Sequence, residues 1–267
     1  MKTPMHEEAT QPRMPMLNKV PEVTLYFWII KIMATTVGET AADFLNFDLH
    51  FGLNGTALLM GALLTAFLLL QLRARQYVPW LYWLVVVLIS IVGTLITDGL
   101  VDNFGVALET TSIVFGLALL ATFAAWYARE KTLSIHSIFT TPRELFYWAA
   151  ILFTFALGTA AGDLAAEGLQ LGYATSTLIF AALIGIVTLA WYVFKANAVL
   201  TFWIAYVLTR PLGASFGDYL SQASSDGGLG LGTVLTSVIF LASIAGLVIY
   251  LSASRQDGSK ADPERAA

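Results

Sequence analysis

The chain has 267 residues, of which 57% are hydrophobic and 12% are charged, and its formal net charge is −4. A soluble globular domain needs a more polar surface than this composition supplies, so we predict an integral membrane protein. The slightly acidic balance excludes a basic surface for binding nucleic acid. The absence of cysteine excludes disulfides, thiolate nucleophiles and thiolate metal ligands.

Eight apolar stretches are each long enough to cross the roughly 30 Å hydrocarbon core of a bilayer as a helix. In chain order they cover residues 23–43, 53–72, 79–98, 107–128, 144–163, 173–194, 199–218 and 231–251. The polar stretches at residues 1–18 and 252–267 are expected to be disordered cytoplasmic ends. The sequence therefore predicts an all-α protein with eight transmembrane helices and no separate soluble domain.

The positive charges predict the orientation of these helices. Of the 14 Lys and Arg residues, only Lys31 and Arg210 fall inside predicted spans. The others all lie at the two ends of the chain or in the loops that follow even-numbered spans. Because Lys and Arg favour cytoplasmic loops, both termini are expected in the cytoplasm, as in a multi-pass protein of a bacterial inner membrane.

A fourfold internal repeat organises the odd-numbered spans. In each of them a Trp precedes a Gly by ten residues, and that Gly precedes an Asp by five. The four sets are Trp28-Gly38-Asp43, Trp83-Gly93-Asp98, Trp148-Gly158-Asp163 and Trp203-Gly213-Asp218. Four such sets in register indicate a true repeat.

Each repeat contains two predicted spans, and the repeats cover residues 19–75, 76–131, 140–195 and 196–251. An even number of spans per repeat means that successive repeats have the same orientation in the membrane. We therefore expect four parallel two-helix repeats that are pseudo-symmetric about the membrane normal.

The chain resembles a known family on these residues. The sequence reads KVPEV at residues 19–23 and TTVGETAAD at residues 35–43, and the Trp-Gly-Asp spacing recurs in the other three repeats. These features resemble the bacterial membrane proteins with four tandem repeats of unknown function (DUF347), and the likeness covers about residues 19–250. The resemblance implies two transmembrane regions and a characteristic Trp in each repeat, and it implies no established activity.

A helical projection places polar residues on one face of each odd span. On the first span this stripe contains Lys31, Thr35, Glu39 and Asp43. The equivalent positions of the other odd spans include Val86, Thr94, Thr159 and Arg210. The even spans carry no charge in their central parts, so we predict that they face lipid while the odd spans surround a common axis. Asp43, Asp98, Asp163, Asp218 and Glu39 would then converge, and carboxylates favour hard cations such as Mg²⁺, Ca²⁺ or Mn²⁺.

The other repeated residues have two interpretations each. Lys31 and Arg210 are either moving counter-charges of a transporter or members of a structural salt-bridge network. The glycines (Gly38, Gly93, Gly158 and Gly213) and Pro211 are candidate hinges or plain kinks. Each Asp could instead cap a following short segment. The four Trp residues (Trp28, Trp83, Trp148 and Trp203) are either interfacial anchors or an aromatic gate.

These residues favour membrane transport of a small cation, either a divalent metal ion or a proton-coupled substrate, through a carboxylate-lined interior. The alternative is a structural or partner-binding membrane protein whose Asp residues only fix helix packing. An enzyme or redox protein is not expected, because the spans contain no His, no Cys and no Ser/His pair. We expect no cofactor and no partner beyond lipid and the cation, and the oligomeric state stays open.

Overall fold

The computed structural model describes residues 18–254, with only the backbone described at Phe47 and Asp48. The expected disordered ends lie outside this range, except for Asn18 and for residues 252–254, which continue the last helix. Across the described residues the chain forms eight long α-helices and no strand. They are α1 (Leu25–Asp43), α2 (Gly52–Arg73), α3 (Pro79–Asp98), α4 (Leu108–Glu130), α5 (Thr141–Asp163), α6 (Tyr173–Phe194), α7 (Ala198–Ser221) and α8 (Thr233–Ser254). The all-helical prediction is confirmed.

The starts of the odd helices follow from local sequence. Pro79 and Pro142 lie in the first turns of α3 and α5, where proline needs no backbone partner. The fourth repeat has Asn197 instead, and its side chain accepts hydrogen bonds from the backbone of Val199 and Leu200 at the start of α7. Proline and asparagine thus both favour a helix start shortly before the repeated Trp.

The ends of the odd helices differ from the sequence prediction, which placed loops after each Asp. In the first three repeats the helix continues as a five-residue π-helical turn: Phe44–Asp48, Gly99–Asn103 and Leu164–Gly168. In the fourth repeat, α7 ends at Ser221 and a short 3-10 turn follows at Ser224–Asp226. Such π-helical turns are rare and occur frequently at functional sites. The end of the bundle that contains them is therefore a candidate location for a functional site.

The four odd helices form a closed ring in the order α1, α3, α5, α7. A glycine permits each close approach: a Cβ added at Gly38 would collide with Ser90, and one at Gly93 with Phe155. A Cβ at Gly158 would collide with Arg210, and one at Gly213 with Thr35. In every case the partner lies three residues before the glycine of the next repeat. The glycine spacing therefore encodes a parallel ring in which the fourth repeat packs on the first.

The even helices lie outside this ring. Each packs on the odd helix of the following repeat, α2 on α3, α4 on α5, α6 on α7, and α8 on α1. Their outer faces expose large apolar side chains such as Leu58, Leu120, Ile186 and Ile249. The predicted arrangement, with odd helices inside and even helices outside, is confirmed.

Seven of the eight helices are long and apolar enough to cross a membrane, counted over the described residues. The exception is α1, whose hydropathy is lowered by Lys31 and Glu39. Both side chains are buried inside the ring, so their polarity does not reach the outer surface. The apolar outer helices are those of a multi-pass membrane protein.

Candidate functional site

Arg210 occupies the centre of the ring. Its Nη2 lies 2.8 Å from Glu39 Oε2 and 2.7 Å from Thr159 Oγ1, and it also donates to Thr94 Oγ1. Glu39, Thr94 and Thr159 share one repeat position, four residues before the repeated Asp, on α1, α3 and α5. The fourth repeat therefore supplies one guanidinium that binds the equivalent residue of each of the other three repeats. Arg210 is fully buried, as predicted for a charge inside the ring.

Three of the five predicted carboxylates meet beside this guanidinium. Among the described residues, oxygens of Glu39, Asp163 and Asp218 all lie within 4.8 Å of one another. Glu39 and Asp218 are buried and Asp163 is partly buried. The geometry is that of a candidate cation site, built from three different helices of the ring.

The remaining two carboxylates do not join this group. Asp43 lies 3.4 Å from the side-chain amide of Gln222, which donates to its Oδ2. Asp98 is partly buried at the equivalent position of α3 and lies outside the three-carboxylate group. The sequence predicted that the five carboxylates converge, and the structure brings three of them together.

The capping alternative does not fit the three Asp residues that precede a π-helical turn. Asp43, Asp98 and Asp163 each stand directly before such a turn, yet none makes a side-chain capping hydrogen bond there. Their backbone is helical, whereas a capping residue has non-helical dihedral angles. The side chains of these three Asp residues therefore do not cap the turns that follow them.

Lys31 lies on the other side of Arg210 along the axis. Its Nζ sits 4.1 Å from the ring centroid of Phe155 and 4.2 Å from that of Tyr206. The ammonium is fully buried, and no described atom accepts a hydrogen bond from it. Two aromatic faces thus replace the carboxylate partner that a buried Lys ordinarily has. The prediction that Lys31 faces the interior is confirmed.

The repeated Trp residues build a second closed ring nearer the helix starts. Each packs in a tilted arrangement against the aromatic residue that precedes the Trp of the previous repeat, at centroid distances of 5.5 to 6.3 Å. The pairs are Phe27 with Trp83, Tyr82 with Trp148, Tyr147 with Trp203, and Phe202 with Trp28. A hydrogen bond between the Tyr82 and Tyr147 hydroxyls, 2.5 Å long, joins two members.

This aromatic ring bears on the two interpretations of the Trp residues. Trp83, Trp148 and Trp203 are at most 4% exposed, which is not the position of an interfacial anchor. Trp80 and Trp191 are 56% and 50% exposed and are the side chains placed to anchor. The aromatic ring lies at the end of the bundle opposite the carboxylates, and the gating interpretation of the repeated Trp residues stays a prediction.

The candidate hinge residues all lie within continuous helix. The helices run unbroken through Gly38, Gly93, Gly158 and Gly213, and each glycine is a point of close contact between helices. Pro211 is buried inside α7, directly after Arg210. Because proline cannot donate the backbone hydrogen bond of that turn, α7 is locally weakened beside the central charge.

Two features of the interior were missed from the sequence. One is the role of Thr94 and Thr159 as acceptors for Arg210, although both lie on the predicted stripe. The other is a buried ion pair between Lys19 and Glu144, 2.6 Å apart, at the helix starts. The sequence places Lys19 before the first span and gives no indication of its partner.

Comparison with known proteins agrees with the repeat. A family model described as Repeat of Unknown Function (DUF347) matches four consecutive segments, residues 26–77, 81–132, 146–197 and 201–257. No curated protein matches the chain, and neither does any solved structure. The four matched segments follow the four repeats and cover most of the sequence, so the chain belongs to the DUF347 repeat family.

Proposed function

We propose that this protein is a membrane carrier for a small cation and that the cation moves along the axis of α1, α3, α5 and α7. The cation is a divalent metal ion or one whose movement is coupled to protons. The observation that carries the proposal is the group of three carboxylates, Glu39, Asp163 and Asp218, next to a single buried guanidinium.

The charge balance of this group favours a bound cation. Three carboxylates within 4.8 Å repel one another, and Arg210 is the one basic group that bonds to any of them among the described residues. They also lie towards the C-terminal ends of the odd helices, where the helix dipole disfavours negative charge. A cation or protons entering this site would relieve both costs, and oxygen ligands of this kind suit hard cations.

The asymmetry of the repeats favours a carrier over a symmetric pore. An entering cation would compete with Arg210 for Glu39, because one carboxylate cannot fully satisfy both. Arg210 would then keep its hydrogen bonds to Thr94 and Thr159. It lies on α7, which Pro211 weakens at the next residue. A bound and an unbound state would thereby differ in the position of Arg210, with Lys31 as a second internal counter-charge. A ligand changes a conformation only through such a difference in interaction.

The proposed orientation follows from the distribution of positive charge. The loops at residues 44–52, 99–106, 164–172 and 219–230 contain no Lys or Arg. We infer that the protein lies in a bacterial inner membrane with both termini on the cytoplasmic side. The carboxylate group then faces the outer side, and the aromatic ring faces the cytoplasm.

The experiment measures cation binding and flux on the purified protein. We expect one member of a panel of Mg²⁺, Mn²⁺, Ca²⁺, Na⁺ and K⁺ to raise the melting temperature of the protein in detergent. The same cation should enter proteoliposomes that contain the protein. Asp163→Asn and Asp218→Asn should each reduce both effects at least about tenfold, since each removes a charged oxygen ligand.

Asp226→Asn is the matched control, because Asp226 is exposed and lies outside the ring. If the Asp163 and Asp218 variants fold and carry the cation as the parent does, the site is wrong. If they unfold and no cation stabilises the parent, the alternative is favoured. In that case Arg210 and its three partners serve only to hold the four helices together.

A further inference from the structure

The ion pair between Lys19 and Glu144 links the segment that precedes α1 to α5. Lys19 lies six residues before the start of α1, whereas Glu144 lies in the first turn of α5. In the ring α1 packs on α3 and α7, so α5 is the helix opposite to it. The Nζ to Oε2 distance is 2.6 Å, and both side chains are 1% exposed.

Both members of this ion pair make further hydrogen bonds to α2. Lys19 Nζ also donates to the backbone carbonyls of Gln71 and Leu72 at the end of α2, at 3.2 and 3.1 Å. The side-chain amide of Gln71 donates to Glu144 Oε1 at 3.5 Å. Val20 and Pro21, which follow Lys19, are buried as well. A short segment before the first helix is therefore locked to α2 and α5 at the end of the bundle.

The pair also touches the aromatic ring. Trp148 Nε1 donates to Glu144 Oε1 at 3.5 Å, and Trp148 packs against Tyr82 in that ring. The positions equivalent to Glu144 in the other repeats are Thr24, Pro79 and Val199, which cannot form this bond. The contact therefore occurs in one repeat and is a departure from the fourfold pattern, as Arg210 is.

We propose that Lys19 and Glu144 form a latch that holds the helix-start end of the axial pathway closed, and that breaking this pair opens that end. The proposal deepens the transport proposal above and rests on it for the meaning of the pathway. Lys19 and Glu144 must separate if the segment before α1 moves away from the start of α5. Water reaching the pair would weaken the attraction steeply, so the latch has a closed state and an open state.

The absence of native cysteine makes this proposal directly testable. Val86→Cys places a thiol on the inner stripe of α3, at a fully buried position beyond the aromatic ring. In membrane vesicles with the cytoplasmic face outward, a small water-soluble thiol reagent should label this introduced thiol slowly. Adding Lys19→Met or Glu144→Gln should raise the labelling rate by about tenfold or more, because the open population increases.

Two further variants make the result decisive. Glu130→Gln breaks a partly exposed ion pair with Arg143 near the same end, 2.7 Å long, and should leave the labelling rate unchanged. Lys19→Arg should keep labelling slow, because a guanidinium can still donate to Glu144 and to the carbonyls of Gln71 and Leu72. If Glu144→Gln lowers the melting temperature but does not speed labelling, the pair only anchors the fold and the latch is refuted.

This readout is independent of the transported cation. Absence of cation flux with faster labelling in the latch variants would refute the proposed carrier and retain the latch. Normal cation flux with unchanged labelling in those variants would refute the latch and retain the proposed carrier.

Discussion

Arg210 Nη2 and Glu39 Oε2 lie 2.8 Å apart and join the last odd helix to the first. This contact lies at the seam where the ring of four helices closes, because α7 and α1 come from opposite ends of the described chain. The charges that break the repeat are thus placed where the repeat must close on itself. The same pair lies beside the carboxylate group that we propose binds a cation.

Replacing Arg210 should show how much the seam depends on it. Arg210→Met leaves Glu39 buried without its cation, and removing one member of a buried ion pair costs about 3–5 kcal/mol. We expect a large fall in the melting temperature of the purified protein. Combining Arg210→Met with Glu39→Gln should recover much of that loss, because the orphaned charge is removed.

Arg143→Met is the control for this measurement. Arg143 pairs with Glu130 at a partly exposed site, where an ion pair contributes about 0–1 kcal/mol. Equal effects of the Arg210 and Arg143 substitutions would contradict a special role for the central guanidinium.

The sequence was sufficient for the architecture because hydrophobicity, charge and repeat spacing each report on it directly. Helical projection back from each repeated Asp predicts the polar stripe and places Arg210 on it. A helical projection gives the face of a residue but no distance across the bundle. It therefore could not show that one guanidinium would reach Glu39, Thr94 and Thr159 together.

The missed contacts share a physical cause. Lys19 lies outside every helical pattern, and its partner Glu144 is 125 positions away in the chain. No periodicity connects two such residues, so the ion pair depends on how the helix ends come together. The π-helical turns after Asp43, Asp98 and Asp163 were also missed. Their five-residue sequences are too short for their pattern to distinguish a loop from a helix.

The ring glycines should tolerate alanine poorly. In Gly38→Ala the new methyl group would lie 2.6 Å from Ser90 Cβ, so α1 and α3 must move apart. We expect a loss of about 1–3 kcal/mol in stability, as for other overpacked interiors. Adding Ser90→Gly should recover part of it by removing the opposing side chain.

Gly61→Ala and Gly185→Ala are the matched controls, on the outer helices α2 and α6. A Cβ at either position meets nothing within 4 Å. Alanine is the better helix former by about 1 kcal/mol, so these variants should be as stable as the parent or more stable. Thermal unfolding in detergent compares all four variants, and a loss at the control sites would refute the packing explanation.

Two Trp residues on α3 should behave differently although they are three positions apart. Trp83 is 2% exposed and belongs to the aromatic ring, whereas Trp80 is 56% exposed on the outer surface. Trp83→Ala should cost about 3–5 kcal/mol, as truncation of a buried aromatic residue does. Trp80→Ala should change the melting temperature little in detergent. Equal losses of stability at the two sites would contradict a greater structural contribution of Trp83 than of Trp80.

The proposed orientation can be tested with single cysteines, since the parent chain has none. Ser225 is exposed between α7 and α8, and His136 is exposed between α4 and α5. In intact cells a membrane-impermeant maleimide should label Ser225→Cys, because that loop belongs to the set without Lys or Arg. His136→Cys should react only after the membrane is permeabilised. The reverse labelling pattern would show the opposite orientation in the membrane. The carboxylate group would then face the cytoplasm, and the Lys19–Glu144 latch would face outward.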